Sequence, residues 1–345
     1  VEIEDWLDAG QFRDCFLPSF NYRPGGSAQY GMAISNFDEG EPKRFNFGFI
    51  ASSDNHRARP GTGYKEIDRF VTTEANGPSS EFVADTLYPK EDSQPQSIDL
   101  REGELLGLRA GFGAFEAERE ASFFSTGGLA AVHSTGRDRD SIWNGLQRKE
   151  TYGTSGDRIL LWFDLISESS DIPMGGTAET TINPIFKVKA VGAFKQKPGC
   201  PDYSSTNITN EEIERICKNE CYNPSDERKI ITRIEVIKVT PQVFKGEQVD
   251  GLISDPWKIF NCEPNQQGCE VEFSDEEFNS ASRDASYYVR AIQEPSPAVN
   301  AGSLRCTYDD EGNCLEVNIC YGDNRTSKDD DCLVMSEERA WSSPI

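Results

Sequence analysis

Apolar and polar positions alternate with a period of two along much of the second half of the chain. Residues 185–194, 229–240 and 287–293 show this alternation and are separated by proline and glycine turns, which predicts strands with one buried face. The apolar run at 159–165 predicts a further buried strand. RFNFGFIA at 44–51 predicts another strand, with its phenylalanines on one side.

Helical patterns are fewer. SAQYGMAISNF at 27–37 can carry a short helix. Asp138 or Asp140 can cap a second helix that runs to about Lys149, and TYGTSG at 151–156 is predicted to be the turn that follows it. The buried stripe of this second helix is predicted to consist of Ile142, Trp143 and Leu146.

Two regions follow from these patterns. The helix, loop and strand that end near residue 165 form one α/β unit, so residues 1–167 are predicted to be α/β. Residues 168–345 are predicted to be mainly β. Residues 60–98 are rich in glycine and proline, which predicts a long irregular insertion that covers a pocket.

The cysteines fall mostly in the second region. Ten cysteines in an acidic chain predict disulfides and an oxidising compartment, hence a periplasmic or extracellular protein. The C-x6-C spacing of Cys262 and Cys269 is typical of a disulfide that closes a turn. A helix over 210–220, with Thr209 and Glu212 as its capping box, carries two more of the cysteines one turn apart.

Charge and hydropathy exclude two classes of partner. A net charge of −24 repels phosphate backbones and excludes nucleic acid as a partner. No stretch approaches the roughly 18 consecutive apolar residues of a membrane span. The acidic runs 309–311 and 329–331 are spaced for neither an EF-hand nor a nonapeptide calcium repeat, so they are read either as a calcium site in the tail or as solvated charge.

Candidate chemistry is concentrated in GFIASSDNHRARPGTGYKE at 48–66. Asp54 and His56 follow a predicted strand, at the end where α/β folds place their active sites. A carboxylate and an imidazole are ligands that suit zinc, manganese or iron. The alternative is an Asx turn formed by the aspartate, with the histidine on the surface.

The residues that follow this pair are positively charged, although the chain as a whole is acidic. Arg57, Arg59, Tyr64 and Lys65 are candidates for binding a small anionic substrate, and the alternative is a solvated loop. His133 is a candidate for proton transfer or for metal ligation. Its alternative is a structural histidine bonded to the backbone.

Several long blocks together resemble a known family. GFIASSDNHRARPGTGYKE, FFSTGGLAAVHS, SIWNGLQRKETYGTSGDRI and ERAWSSPI resemble the carboxyl-terminal half of the domain-of-unknown-function 3604 family. That family is similar to the PHP (polymerase and histidinol phosphatase) metal-dependent phosphoesterases and, more distantly, to amidohydrolases. The resemblance implies that residues 1–167 are the C-terminal portion of a distorted PHP-like β/α barrel around a metal cluster, with Asp54 and His56 as its last ligand motif.

One departure from the family pattern shapes the functional prediction. PHP-like enzymes begin with a His-x-His motif, and this sequence contains none. The resemblance therefore implies that the other ligands belong to a missing N-terminal half or to a partner chain, or that catalysis has been lost.

The sequence accordingly predicts a metal-dependent, phosphoesterase-like hydrolase in which metal-bound hydroxide attacks a phosphate ester or a related bond. The alternative is a non-catalytic secreted binding or assembly component that calcium stabilises. In that case, the acidic surface and the disulfide-stapled β region would mediate the contacts.

Overall fold

The computed structural model describes residues 27–38, 40–52, 64–69, 80, 82, 127–299, 306–311, 314–317 and 326–345. Helices in this part of the chain are α1 (Ala28–Ala33), α2 (Arg139–Gln147), α3 (Asn210–Cys217) and α4 (Phe278–Ala281), with 3-10 turns at Asp202–Thr206 and Asp250–Leu252. None of these helices has the length and apolar character that a membrane crossing requires.

Strands make up most of the described structure. In chain order they are β1 (Ser35–Asn36), β2 (Lys43–Arg44), β3 (Leu129–Val132), β4 (Thr151–Thr154), β5 (Leu160–Leu165), β6 (Ile172–Pro173), β7 (Ile185–Val191), β8 (Phe194–Gln196), β9 (Pro224–Arg228), β10 (Ile231–Val239), β11 (Ile253–Asn261), β12 (Cys269–Ser274), β13 (Ser286–Gln293), β14 (Ser296–Val299), β15 (Cys306–Tyr308), β16 (Cys314–Val317), β17 (Leu333–Ser336) and β18 (Arg339–Ser342).

Two antiparallel sheets form the core. The larger has the order β11-β10-β13-β18-β4-β3, and the smaller has the order β12-β7-β5-β6. Phe186 of β7 lies between them, with its ring centroid 5.4 Å from that of Phe163 and 4.7 Å from that of Tyr287. Burial of these inner faces supplies the apolar stabilisation of the sheet pair.

The outer face of the six-stranded sheet is also covered. Ile237 and Val239 of β10 point away from the sheet pair into a second cluster. Met32 and Ala33 of α1 pack there, together with the partly buried ring of Phe49. The strand β10 therefore has buried residues on both of its faces.

The global prediction is confirmed in part. The described residues are mixed α/β, consist mostly of sheet and contain disulfides, but they form no closed barrel, so the PHP-like barrel stays a prediction. Each of the two main sheets contains strands from before and after the predicted boundary between residues 167 and 168, because β5 pairs with β7 and β4 pairs with β18.

Many local predictions are confirmed. The short first helix, the helix that Asp138 caps and the strands β5, β7, β10 and β13 all occur as expected. The capping box of Thr209 and Glu212 is complete at the start of α3. Cys262 and Cys269 form the predicted disulfide between β11 and β12, and Cys332 is also disulfide-bonded.

The predicted turn at 151–156 is wrong. Residues Thr151–Thr154 form β4, and all four are buried. This strand pairs with β3 on one side and with β18, near the end of the chain, on the other. Because its second partner lies about 190 residues further on, the local glycine and serine content gave no sign of it.

The predicted buried stripe of α2 is wrong for two of its three residues. Ile142 and Trp143 are exposed, and Gly145 is the buried position instead. A Cβ atom on Gly145 would lie 2.5 Å from the carbonyl oxygen of His133. Helix α2 thus packs against His133, directly after β3, through Gly145, and the missing side chain permits this close approach.

The predicted strand at 44–51 is also wrong beyond its start. Only Lys43–Arg44 is paired, and its partner β1 is two residues long. Phe45 is exposed, whereas Phe49 packs on the outer cluster and its N–H donates to Ser343 Oγ at 2.8 Å. Side-chain packing therefore replaces ladder hydrogen bonds in this segment.

Candidate functional site

The predicted site residues divide into two groups. The predicted metal ligands and both arginines lie outside the described residues: Asp54, His56, Arg57 and Arg59. So does most of the predicted insertion at 60–98, of which 64–69, 80 and 82 are described. These assignments stay predictions, and the described site begins with Tyr64 and Lys65.

Tyr64 and Lys65 line a cavity of about 420 Å³ at one edge of the sheet pair. We call it the lysine–carboxylate cavity because its wall carries three lysines and four acids: Lys65, Lys197, Lys229, Glu66, Asp157, Glu220 and Glu338. The structure thus brings two predicted substrate-binding residues together with four carboxyl groups that were not among the predicted site residues.

Lys65 is held firmly in the cavity wall. Its side chain is 7% exposed, and its Nζ donates to Glu220 Oε2 at 2.5 Å and to the carbonyl oxygen of Gly199 at 2.8 Å. Glu220 also accepts from the N–H of Gly199. Beside them, the rings of Tyr64 and Tyr222 pack edge to face. The ammonium is therefore fixed in position rather than free to rotate in solvent.

Lys229 and Asp157 form a second charged pair in the wall. Lys229 Nζ donates to Asp157 Oδ2 at 2.5 Å and to Ser296 Oγ at 3.0 Å. Asp157, at the turn between β4 and β5, also accepts from the side-chain amide of the fully buried Gln293. Gly192 permits this arrangement, since any Cβ there would collide with the carbonyl oxygen of Lys229.

Glu338 is the most perturbed acid of the cavity. It lies in the turn between β17 and β18, is 6% exposed and accepts a hydrogen bond from Ser155 Oγ. Burial raises the pKa of Glu338 and the negative charge of Asp157 adds to this rise, whereas the hydrogen bond from Ser155 lowers the pKa in part. A carboxyl group with a raised pKa in a cavity wall is suited to donate a proton.

A larger cavity of about 1060 Å³ lies on the outer side of the six-stranded sheet. Its wall includes residues 47–51, which lead toward Asp54, and Trp341 of β18. Its charged groups pair with one another, because Arg290 contacts both Glu235 and Asp255.

His133 lies apart from the lysine–carboxylate cavity wall. Its Nε2 is 2.8 Å from the carbonyl oxygen of Leu161, so that nitrogen carries the proton and donates it. The ring packs near Tyr152 and Trp162, with centroids 5.5 and 5.9 Å away. These contacts fit a structural histidine, and the predicted role in proton transfer stays a prediction.

Three cysteine sulfurs form the described group best suited to hold a metal ion. The Sγ atoms of Cys200, Cys217 and Cys221 lie within 4.8 Å of one another, and Cys200 and Cys221 are joined in a disulfide. We call them the three-cysteine cluster.

In the acidic tail, the carboxylates of Asp309 and Asp331 each accept a hydrogen bond from the backbone N–H two residues further along the chain. Calcium binding by this tail stays a prediction.

Sequence reasoning missed these acids of the cavity wall. Asp157, Glu220 and Glu338 lie in three separate turns, and no spacing in the chain relates them. Glu338 even has an acidic neighbour, Glu337, that is indistinguishable from it by residue type. Only the folded arrangement separates the buried Glu338 from the partly exposed Glu337.

Comparison with known proteins supports the predicted family over part of the chain. No curated protein and no solved structure matches the sequence. Residues 26–164 match the model of a family described as Protein of unknown function (DUF3604). Over this stretch, which contains all seven predicted site residues, the chain is similar to the DUF3604 family.

Proposed function

We propose that this protein is an exported, metal-dependent hydrolase of the PHP-like phosphoesterase type, and that the lysine–carboxylate cavity is part of its active site. The observation that carries the proposal is the buried Glu338, whose pKa is raised in the wall of a cavity that also holds Lys65 and Lys229. The disulfides support the compartment, and the class rests on the resemblance of the block at 48–66 to the PHP-like enzymes.

Glu338 is the proton donor in this proposal. Hydrolysis of an ester leaves an alkoxide that must be protonated, and a general acid must still hold its proton at the working pH. Burial favours the protonated form of Glu338, and Ser155 orients its carboxyl group. Asp157, paired with Lys229, supplies the neighbouring negative charge that favours the protonated form of Glu338.

The two lysines bind the anion of the substrate. An ammonium group has three N–H donors. Lys65 uses two of them on Glu220 and Gly199, and Lys229 uses two on Asp157 and Ser296. Among the described contacts, one donor of each lysine is left for the oxygens of a phosphate ester. Glu220 and Asp157 fix where these donors lie.

The donor set predicted for the metal is the carboxylate of Asp54 and the imidazole of His56, and its chemistry fits zinc, manganese or iron. When bound, such a metal supplies a Lewis acid that polarises a phosphoryl oxygen. We infer that the remaining ligands come from an N-terminal half or a partner chain, because the sequence contains no His-x-His.

The test measures hydrolysis of a panel of phosphate mono- and diesters by the full protein, isolated with any partner it carries, in zinc, manganese or iron(II). We expect Glu338→Gln to lower kcat by about 10²–10⁴-fold, as expected for loss of a general acid. The alkaline limb of the pH profile should disappear with it. Glu263→Gln, at an exposed glutamate, is the matched control.

Three outcomes decide between the two functions. Lys65→Ala should raise KM more than it lowers kcat, because Lys65 holds the substrate anion. Wild-type activity in Glu338→Gln would contradict the proposed proton donor. Absence of hydrolysis with every metal and ester, together with tight calcium binding, would instead favour the non-catalytic binding or assembly component.

A further inference from the structure

The three-cysteine cluster places a free thiol against a disulfide. Cys217 is the free cysteine of the described residues and is partly exposed. Its Sγ lies 3.2 Å from Sγ of Cys221 and 3.8 Å from Sγ of Cys200, the two sulfurs that are bonded to each other. A thiol in contact with a disulfide can enter thiol–disulfide exchange once its side chain turns so that its sulfur lies on the line of the S–S bond.

The local backbone creates this contact. α3 ends at Cys217, and Lys218 and Asn219 then adopt left-handed conformations with φ of 53° and 61°. This reversal returns Cys221 to the end of the helix. A positive φ at Gly199 turns the preceding segment so that Cys200 reaches the same point.

We propose that the three-cysteine cluster is a thiol–disulfide exchange site with two bonded states, Cys200–Cys221 and Cys217–Cys221. The Cys217 thiol releases its proton to water, and the thiolate attacks Sγ of Cys221. The Cys217–Cys221 bond forms as the Cys200–Cys221 bond breaks, and Cys200 leaves as a thiolate that takes up a proton. One disulfide and one thiol are present before and after, so the step needs neither oxidant nor reductant.

Exchange changes which segments are covalently joined. The Cys200–Cys221 bond ties the residue after Gly199 to the residue after Glu220. Those two neighbours are the groups that hold Lys65 in the lysine–carboxylate cavity. A Cys217–Cys221 bond closes only the turn after α3 and leaves this part of the cavity wall joined by hydrogen bonds alone. The exchange site therefore controls how firmly Lys65 is held.

Disulfide mapping tests the exchange without any assay of activity. The protein is incubated without reductant, its thiols are blocked with N-ethylmaleimide under acidic conditions, and it is digested with trypsin. Trypsin separates the three cysteines onto peptides 196–215, 216–218 and 219–228. We expect two populations: one with the label on Cys217, and one with the label on Cys200 and a 216–218 to 219–228 linkage. Label confined to Cys217 after prolonged incubation at alkaline pH would overturn the proposal.

Two variants isolate the end states. Cys217→Ser should show only the Cys200–Cys221 linkage, and Cys200→Ser, incubated with oxidised glutathione as the oxidant, should form the Cys217–Cys221 linkage. Acylation of the Lys65 amine by a water-soluble succinimidyl ester, followed by mass spectrometry, should be faster in Cys200→Ser than in Cys217→Ser. Equal rates would overturn the coupling to the cavity, and two free thiols in Cys200→Ser would overturn the exchange itself. Neither result bears on hydrolysis, so the proposed function is tested separately.

Discussion

Replacement of Asp157 by alanine should reveal how much the ion pair in the wall of the lysine–carboxylate cavity contributes to the stability of the fold. The carboxylate is 5% exposed and accepts hydrogen bonds from Lys229 and from the buried amide of Gln293. Asp157→Ala removes the carboxylate oxygen that accepts both hydrogen bonds. It leaves an ammonium and an amide donor in a site from which water is largely excluded.

The structure sets the size of the expected effect. Breaking a buried ion pair by removing one partner costs about 3–5 kcal/mol. Lys229 is 19% exposed on its side chain and keeps its hydrogen bond to Ser296, so part of its charge is still solvated. We therefore expect Asp157→Ala to lower the free energy of unfolding by about 2–4 kcal/mol.

Urea unfolding followed by far-UV circular dichroism and tryptophan fluorescence measures this loss, provided that the two probes give coincident transitions. Asp226→Ala, at an exposed aspartate, is the control and should change little. Lys229→Met combined with Asp157→Ala should cost less than the sum of the single changes, by about 1–3 kcal/mol. A loss in Asp157→Ala no larger than in the control would refute the buried pair.

Three further predictions concern the surrounding fold. The Arg233 guanidinium holds the pKa of Glu337 below its usual range. The ionised Glu337 therefore stabilises the fold above the pKa of the unfolded chain, and this contribution is lost as the pH falls through the pKa of the folded protein. Glu337→Gln should lower the melting midpoint at pH 7 but not near pH 2. Gly145→Ala should destabilise by about 1–3 kcal/mol in urea titrations, because its Cβ would overlap a backbone carbonyl, whereas Gly251→Ala, in open space, should be nearly neutral. Phe186→Ala should cost about 3–5 kcal/mol by the same measurement, since it empties the centre of the sheet pair, and a loss below that of a surface substitution would contradict the packing.

Features with local determinants were predictable from the sequence. The capping box of Thr209 and Glu212 spans four residues and forms as expected. The alternation in β7 buries Phe186, Val188 and Ala190 and exposes the lysines between them. In both cases, the residues that decide the structure are neighbours in the chain, so the pattern contains the answer.

Features that depend on distant partners were not predictable. The sequence TYGT predicts a turn because its glycine and threonines form no apolar pattern. It is nevertheless a buried strand, because it pairs with β18. Glu337 and Glu338 are adjacent and chemically identical. Arg233 lowers the pKa of the first, whereas burial raises the pKa of the second. No spacing rule distinguishes two such glutamates.

A titration of the Glu338 carboxyl group itself tests most directly whether Glu338 is the proton donor of the proposed active site. Carbon-13 NMR of glutamate side chains, with Glu338→Gln to assign the resonance, follows its protonation as the pH is changed. We expect this carboxyl group to titrate clearly above the ordinary glutamate pKa of about 4.3. We also expect the pKa of Glu338 to fall when Asp157 is replaced by asparagine. A resonance that titrates at or below the ordinary value would show that Glu338 holds no proton to donate, and would contradict the proposed active site.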